Sequence, residues 1–374
     1  MDVIFAISVC VILYTYIIYP FIITVWGTMA RRPVQRDEQP IPLSVVLAVR
    51  NEESAIEERI ENLIAQDYPR DMVEIIIVSD GSDDATIELA AGYQHERVIV
   101  IDTGEPVGKA QAINRGVESA SGELIVFADA RQRFAPDVLS ELAAMFHDES
   151  VGCVSGELVI SGNGGSEMRE GMGLYWSYEK WIRRMESKTD SVVGASGSIY
   201  AVRRSLYTPL PPGTILDDFL LPMRIVLRGY RTVFTRKARA FDTVSSTSSH
   251  EFWRKTRTLA GNYQALRLEP ALLNPARNRL WFQLLSHKLA RLLVPYFCIL
   301  AFASNLYLTD GIMLALLLLQ VLFYGAGLLR WTPLADTPLG FFIRVSWTFM
   351  MLNAAAVAGL WVFITGGETT VWKR

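Results

Sequence analysis

Residues 73–84 read VEIIIVSDGSDD, and this stretch is the strongest indication of the fold. An apolar run at 73–78 gives way at Ser79 to a polar and acidic cluster. Similar runs lie at Leu43–Val49, 97–101 and 123–128, and stretches with helix-like apolar spacing separate them, at 54–66, 84–93 and 108–120. Short apolar strands that alternate with amphipathic helices predict an α/β domain with a parallel sheet.

Each predicted strand ends in polar residues. Ligands of parallel sheets bind outside the carboxyl ends of the strands, so these residues are candidates for binding. They are Arg50-Asn51-Glu52, then residues 79–84, then Asp102, and finally Asp129-Ala130-Arg131. Ser82 or Asp83 could simply cap the following helix. That alternative leaves Asp80, at the strand end, free for a ligand.

The apolar excess of the chain lies at its two ends. Hydrophobic residues make up 51% of the 374 residues, and 3–26 contain no charge. Three more apolar stretches lie at 290–307, 311–329 and 342–365, and about 20 apolar residues are enough to cross a bilayer. We predict four spans, with an amphipathic segment at 278–291 before the second. A cleaved signal peptide fits the long, uncharged first stretch poorly.

The basic residues predict the orientation. Arg31 and Arg32 follow the first span, Arg330 and Arg344 bracket the loop between the third and fourth, and the short loop 308–310 carries only Asp310. Because basic loops mark the cytoplasmic side, the N-terminus is expected outside, residues 31–285 inside and the C-terminus exported. The predicted organisation is a span in 1–30, an α/β domain in 40–250, interfacial amphipathic helices in 251–290 and spans in 291–366.

Charge and cysteine content narrow the class of protein. The net charge of −3 gives no indication of a nucleic-acid partner. The three cysteines, Cys10, Cys153 and Cys298, have neither the number nor the spacing of a disulfide framework or a metal site.

Five motifs occur in a fixed order along the chain. They are residues 77–86 (IVSDGSDDAT), 108–114 (GKAQAIN), 127–130 (FADA), 216–218 (LDD) and 254–257 (RKTR). Together with 43–51, they resemble family 2 glycosyltransferases with a GT-A fold. With the flanking spans, the chain resembles the membrane-bound branch that holds cellulose, chitin, hyaluronan and poly-N-acetylglucosamine synthases. The resemblance covers about 40–365 of the chain.

This resemblance implies an inverting hexosyltransferase at the cytoplasmic membrane face. The enzyme would move a sugar from a nucleotide-diphosphate donor, a UDP-sugar, to a glycan or lipid-linked acceptor. Its partners would be the donor, the acceptor, membrane lipids and polysaccharide-export proteins. The alternative is a catalytically altered scaffold in a polysaccharide-synthesis complex, because two motifs depart from the family pattern at Arg131 and Asp217.

The resemblance implies the residues of the donor site, position by position along the motifs. Four residues match the positions that hold the uridine of the donor: Ala48, Arg50, Glu52 and Asp80. Lys109 matches a lysine near the diphosphate, where a fixed cation would stabilise the charge of the leaving group. A lysine at a helix start opposes the helix dipole, which favours a functional reason for its position.

The metal motif is altered. Asp129 matches the first carboxylate of the family's Asp-x-Asp motif, which implies a divalent cation, Mg²⁺ or Mn²⁺, on the diphosphate. Arg131 replaces the second carboxylate. One carboxylate and two phosphate oxygens can hold Mg²⁺. Alternatively, the guanidinium of Arg131 supplies positive charge to the phosphates itself.

The acceptor side depends on an aspartate pair and a small-residue loop. Asp218 matches the aspartate that ends the family's Thr-Glu-Asp motif and is the candidate base, while Asp217 replaces the glutamate. Either aspartate could instead cap the helix predicted from Phe219. The loop 193–198 (VGASGS) is implied as a wall of the acceptor site, and a simple turn is its alternative.

The last motif also departs from the family. The processive synthases carry Gln-x-x-Arg-Trp, whose arginine binds the diphosphate and whose tryptophan stacks under the acceptor sugar. Here only the arginine is kept, as Arg257, and Thr258 follows it. The loss of the tryptophan favours transfer of one or a few sugars. The basic run 254–257 would also suit a membrane surface rich in anionic lipid.

Overall fold

The computed structural model describes residues 1–374 except 161–165, 243–247, 309, 338 and 367–374. Its strands are β1 (Leu43–Val49), β2 (Val73–Ser79), β3 (Val98–Asp102), β4 (Leu124–Ala128), β5 (Arg133–Phe134), β6 (Val151–Ile160), β7 (Ile199–Arg203) and β8 (Arg231–Asp242). Its α-helices are α1 (Asp2–Leu13), α2 (Tyr19–Met29), α3 (Ile56–Ile64), α4 (Thr86–Ala91), α5 (Lys109–Glu118), α6 (Val138–Ala143), α7 (Ser166–Thr189), α8 (Asp217–Leu227), α9 (Ser248–Leu268), α10 (Trp281–Gln283), α11 (Ala290–Asn305), α12 (Gly311–Leu328) and α13 (Gly340–Thr365).

All eight strands form one sheet, in the order β3-β2-β1-β4-β7-β6-β8-β5. The four strands predicted from the apolar runs pair in parallel, which confirms the α/β prediction for this half. The second half is mixed, because β7 runs antiparallel to both β4 and β6. The apolar runs carry no information about this strand order, so the sequence could not predict the second half.

Strand register brings the candidate donor residues to one edge of the sheet. Val49 at the end of β1 pairs with Ser79 of β2, and Ser79 pairs with Asp102 of β3. On the other side of β1, Leu47 pairs with Ala128, the last residue of β4. The residues that follow β1, β2 and β4 therefore lie side by side at the carboxyl ends of parallel strands, where ligands bind.

In the described part of the chain, four helices are long and apolar enough to cross a membrane: Asp2–Met29, Trp281–Asn305, Gly311–Trp331 and Gly340–Thr365. The first and second are continuous helices, because π-helical turns join α1 to α2 and α10 to α11. Large apolar side chains of α12 such as Leu319 and Leu322 are 60% and 67% exposed, as lipid-facing residues are. The predicted arrangement of one N-terminal and three C-terminal spans is confirmed. The segment 278–291 is not a separate amphipathic helix, since most of it forms the first turns of the second span.

Two long helices connect the sheet to the spans. On α7, buried Glu186 accepts hydrogen bonds from Tyr19 Oη of the first span at 2.6 Å and pairs with His287 of the second at 2.7 Å. On α9, Tyr263 stacks on Phe363 of α13 with ring centres 5.6 Å apart. Since buried polar groups must find partners, the Glu186 cluster fixes α7 against two spans at once.

Candidate functional site

An ion pair joins the first and fourth strand ends. Arg131 donates from Nε and Nη2 to the carboxylate of Glu52, at 2.9–3.1 Å. Glu52 is 7% exposed, and its own N–H donates to Thr86 Oγ1. A two-pronged guanidinium–carboxylate pair is geometrically specific, so each residue restrains the other at the carboxyl ends of β1 and β4, where a parallel sheet forms a ligand-binding crevice. Both were predicted as donor-binding residues, and the structure places them in contact.

Asp80 is not free for a ligand in the way that the sequence predicted. Its side chain is fully buried, and its carboxylate accepts the N–H groups of Val107 and Gly108 at 2.7–3.1 Å. These residues form the turn before α5, whose first residue is Lys109. Asp80 therefore positions the loop that carries Lys109. Sequence could not show this because it places no constraint on the path of the loop 103–108.

Lys109 lies between two carboxylates. Its ammonium is 3.0 Å from Asp129 Oδ1 and 3.6 Å from Asp217 Oδ1. Burial would lower the pKa of Lys109, but Asp129 and Asp217 outweigh it and hold the pKa above its ordinary value. The lysine is therefore a permanent cation. It links the residue that follows β4 to the first residue of α8.

The remaining predicted donor residues border this crevice. Ala48 is buried near the end of β1, and Arg50 follows that strand directly. Asp129 follows β4, and its side chain is 35% exposed. Among the residues that the structure describes, no group of three or more His, Cys, Asp or Glu side chains could hold a metal by itself. Asp129 therefore fits a divalent cation only as a single protein ligand, with the donor phosphates supplying others.

The two aspartates at the start of α8 have different surroundings. Asp217 is 5% exposed, and its Oδ2 accepts a hydrogen bond from Tyr200 Oη at 2.7 Å. Tyr200 is fully buried on β7 and stacks on Phe127 of β4, with ring centres 4.6 Å apart. Asp217 is thus held by Tyr200 on one oxygen and attracted by Lys109 on the other. This arrangement suits a residue that positions the lysine.

The carboxylate of Asp218 has no hydrogen-bond or ion-pair partner among the described residues. Burial, followed by repulsion from Asp217, raises the pKa of its carboxyl to about 6. A Cβ atom added at Gly197 would lie 2.9 Å from Asp218 Oδ2, so the predicted acceptor loop packs directly against this carboxylate. A carboxylate with a raised pKa and no partner can accept a proton from a ligand.

Arg257 lies on α9, one helical turn before Gly261. Gly261, one turn later on the same face, packs so tightly on α8 that an added Cβ would lie 2.6 Å from Leu216 Cγ. Leu216 directly precedes Asp217. The Nε of Arg257 is buried and has no hydrogen-bond partner in the described part of the chain. A guanidinium whose buried Nε has no partner among the described residues is suited to a bound anion.

Sequence analysis missed two residues of this site. Tyr200 lies in an apolar strand, and nothing in its spacing signals contact with Asp217. Arg183 of α7 donates to Ser196 Oγ and Ser155 Oγ at 2.9 Å, so it anchors the loop that contacts Asp218. Arg183 lies outside the five motifs, so no local pattern indicated its contact with this loop.

A family model described as "Glycosyl transferase family 2" matches residues 44–209. The chain carries a family 2 glycosyltransferase domain. The matched part of this transferase domain contains β2 to β7, all of β1 except Leu43, the four groups of strand-end residues and Lys109.

Similar proteins include two curated synthases. The chain is 27% identical over 229 residues to a poly-beta-1,6-N-acetyl-D-glucosamine synthase of Staphylococcus aureus (strain COL), covering 60% of this chain and 55% of the relative. It is 28% identical over 192 residues to a beta-monoglucosyldiacylglycerol synthase of Trichormus variabilis, covering 50% of this chain and 41% of the relative. The alignments thus span about half the length of these relatives.

Among solved structures, a mannosyltransferase from Pyrobaculum calidifontis, solved with GDP-Man and Mn²⁺, superposes with a TM-score of 0.76. The likeness covers 98% of this chain and all of that one, at 21% sequence identity. At this identity it shows the fold. The GT-A fold of the transferase domain, with its flanking helices, is thereby confirmed.

Proposed function

We propose that the chain is an inverting glycosyltransferase that moves a sugar from a nucleotide-diphosphate donor to a hydroxyl of a glycan or lipid-linked acceptor. The observation that carries the proposal is the aspartate pair of α8. Asp217 is held by Tyr200 and Lys109, whereas the carboxylate of Asp218 has no partner in the described part of the chain, has a pKa raised to about 6 and faces the loop of Gly197. The carboxylate of Asp217 positions Lys109, and the carboxylate of Asp218 is available to accept a proton.

In this proposal the donor lies across the carboxyl ends of β1, β2 and β4. The nucleoside contacts Ala48, Arg50 and the Glu52–Arg131 pair, and a UDP-sugar is the expected donor. The mannosyltransferase of the same fold was solved with GDP-Man, so a donor panel must include both bases. Lys109 and Arg257 flank the diphosphate. Fixed cations at that position stabilise the negative charge that develops when the sugar leaves.

The transfer is a single displacement. An acceptor hydroxyl attacks the anomeric carbon while the bond from that carbon to the phosphate oxygen breaks, and the nucleoside diphosphate leaves with the bonding electrons. The proton of the attacking hydroxyl passes to Asp218. Attack from the face opposite the leaving group inverts the anomeric configuration, and no covalent intermediate on the protein is needed.

A divalent cation, Mg²⁺ or Mn²⁺, would be held by Asp129 together with the donor. When bound, such an ion supplies additional positive charge to the diphosphate. Because Asp129 would be its single protein carboxylate, we expect weak binding that depends on the donor. Lys109 already neutralises one Asp129 oxygen at 3.0 Å, which is a further reason for weak binding.

The acceptor site opens toward the spans. Asp218 lies beside the loop that α7 anchors, and α7 packs on the first and second spans. We propose that the transferase domain is cytoplasmic, with Arg31 and Arg32 following the first span on that side. An acceptor at the membrane surface then reaches Asp218 directly.

Donor turnover by the purified protein tests this function. We expect release of nucleoside diphosphate from at least one sugar nucleotide, abolished by Asp218→Asn and retained in part by Asp217→Asn. Binding of sugar nucleotides with no turnover of any of them would instead identify a scaffold.

A further inference from the structure

Three cations, one each from α7, α9 and the second span, lie along one face of α7 between the spans and the loop that contacts Asp218. Trp176, Glu179 and Arg183 follow one another at steps of three and four residues, so they lie on the same face of the helix. Lys255 of α9 lies 4.6 Å above the Trp176 ring, and Lys288 of the second span lies 3.8 Å from Glu179. Arg183, at the far end, anchors the loop of Gly197 that contacts Asp218. We call Arg183, Lys255 and Lys288 the cationic row.

Glu179 and Glu251, the carboxylates that approach Lys288 and Lys255, each bind an arginine more closely. Arg291 donates to Glu179 at 2.5 Å, and Arg254 donates to Glu251 at 2.5 Å. In the described part of the chain, Lys255 and Lys288 each have only a 3.8 Å approach to a carboxylate. Arg183 hydrogen-bonds there to hydroxyl and carbonyl oxygens and to no carboxylate.

Positive charge is therefore in excess along this face. The three side chains are withdrawn from solvent, and those of Lys255 and Lys288 are 14% and 27% exposed. Burial, with repulsion from Arg254 and Lys288 against the attraction of Glu251, lowers the pKa of Lys255 to about 8. A withdrawn cation that no close carboxylate neutralises is costly, so the face favours a bound anion.

The location of this face of α7, next to the spans, indicates what kind of molecule carries the anion. Lys288 belongs to a span, and α7 and α9 are the helices that join the sheet to the spans. Trp253 on α9 and Trp181 on α7 are 60% and 37% exposed, as aromatic side chains at a membrane surface are. An anion at this depth is a lipid headgroup rather than a soluble metabolite.

We propose that the acceptor is a lipid with a phosphate in its headgroup and a free hydroxyl beyond that phosphate. The cationic row binds the phosphate, and the hydroxyl reaches Asp218. This deepens the proposed function and rests on it for the transfer step. The hydroxyl is required because Asp218 acts by accepting its proton. The phosphate is required because three cations line the approach.

Lipid binding can be measured without turnover. The full-length protein in detergent is titrated with dioctanoyl phosphatidic acid and with dioctanoylglycerol, which share acyl chains and differ in the phosphate. We expect the phosphatidic acid to bind at least about tenfold more tightly, with loss of that preference in Lys255→Gln/Lys288→Gln. The charge-preserving Lys255→Arg/Lys288→Arg retains it. Lys237→Gln, at an exposed lysine of β8, is the matched control and leaves binding unchanged.

Turnover tests the rest of the proposal. With a productive donor, dioctanoyl phosphatidylglycerol should accept sugar, and phosphatidic acid should inhibit competitively against it. The double variant Lys255→Gln/Lys288→Gln should raise KM for phosphatidylglycerol and leave KM for the donor unchanged. Equal binding of both lipids, or a rise in donor KM alone, would overturn the inference, since the cations would then serve the donor. Absence of all turnover with intact lipid selectivity would overturn the proposed function instead.

Discussion

Replacement of Asp218 by Asn removes the proposed base and keeps the shape of the side chain. Because the carboxylate has no partner among the described residues, no structural contact is lost. A positioned general base contributes about 10² to 10⁴-fold to a proton transfer, so kcat should fall by that factor. Asp217→Asn is the matched control, because it changes the adjacent residue of the same helix turn. This variant retains a hydrogen-bond acceptor for Tyr200, and its kcat should fall about tenfold or less.

The pH profile sharpens this test. A base with a pKa of about 6 is mostly ionised at pH 7 and about one tenth ionised at pH 5, so kcat/KM should fall about tenfold between them. In Asp217→Asn the repulsion that helps to raise the pKa is gone, and the midpoint should move to lower pH. The assay follows nucleoside diphosphate release from pH 5 to 8, with circular dichroism to show that each variant is folded. Equal loss in both variants, or an unchanged profile in Asp217→Asn, would refute the assignment of the base.

Three further predictions follow from the site and the spans. A chelator should remove most activity, and millimolar Mg²⁺ or Mn²⁺ should restore it; full activity without metal would show that the protein's own cations suffice. Arg257→Ala should lower kcat/KM for the donor about 100-fold, because a cation that we propose to bind the diphosphate is lost, whereas Arg267→Ala, at an exposed arginine of the same helix, should not. In a cysteine-free background, an impermeant maleimide should label Tyr307→Cys in intact cells and leave Leu334→Cys unlabelled; the reverse pattern would contradict the proposed orientation.

Local sequence patterns predicted the first half of the sheet and the spans. Apolar runs bounded by polar clusters mark β1 to β4, since strands buried on both faces are continuously apolar. The spans are marked by length and lack of charge alone. The position of β7 between β4 and β6 depends on packing between segments far apart in the chain, so no local pattern contains it.

Residues of the candidate site could be predicted from the sequence where they belong to a motif. The role of a residue could not be predicted where it depends on contacts in the folded structure. Position in a motif indicated Lys109, Asp218 and Arg257. The use of Asp80 to hold the turn at 107–108, and of Glu52 to hold Arg131, depends on loop paths that sequence leaves open. Contacts between elements distant in sequence also created the cationic row.

Analysis of the product measures directly whether the protein transfers a sugar to a lipid or glycan acceptor. The purified protein in lipid is incubated with UDP- and GDP-sugars, and the lipid fraction is analysed by mass spectrometry while nucleoside diphosphate is measured. We predict a product heavier than its acceptor by one or a few sugar residues, formed in proportion to the nucleoside diphosphate released and absent in Asp218→Asn. Binding of sugar nucleotides with neither product nor released diphosphate would contradict the account.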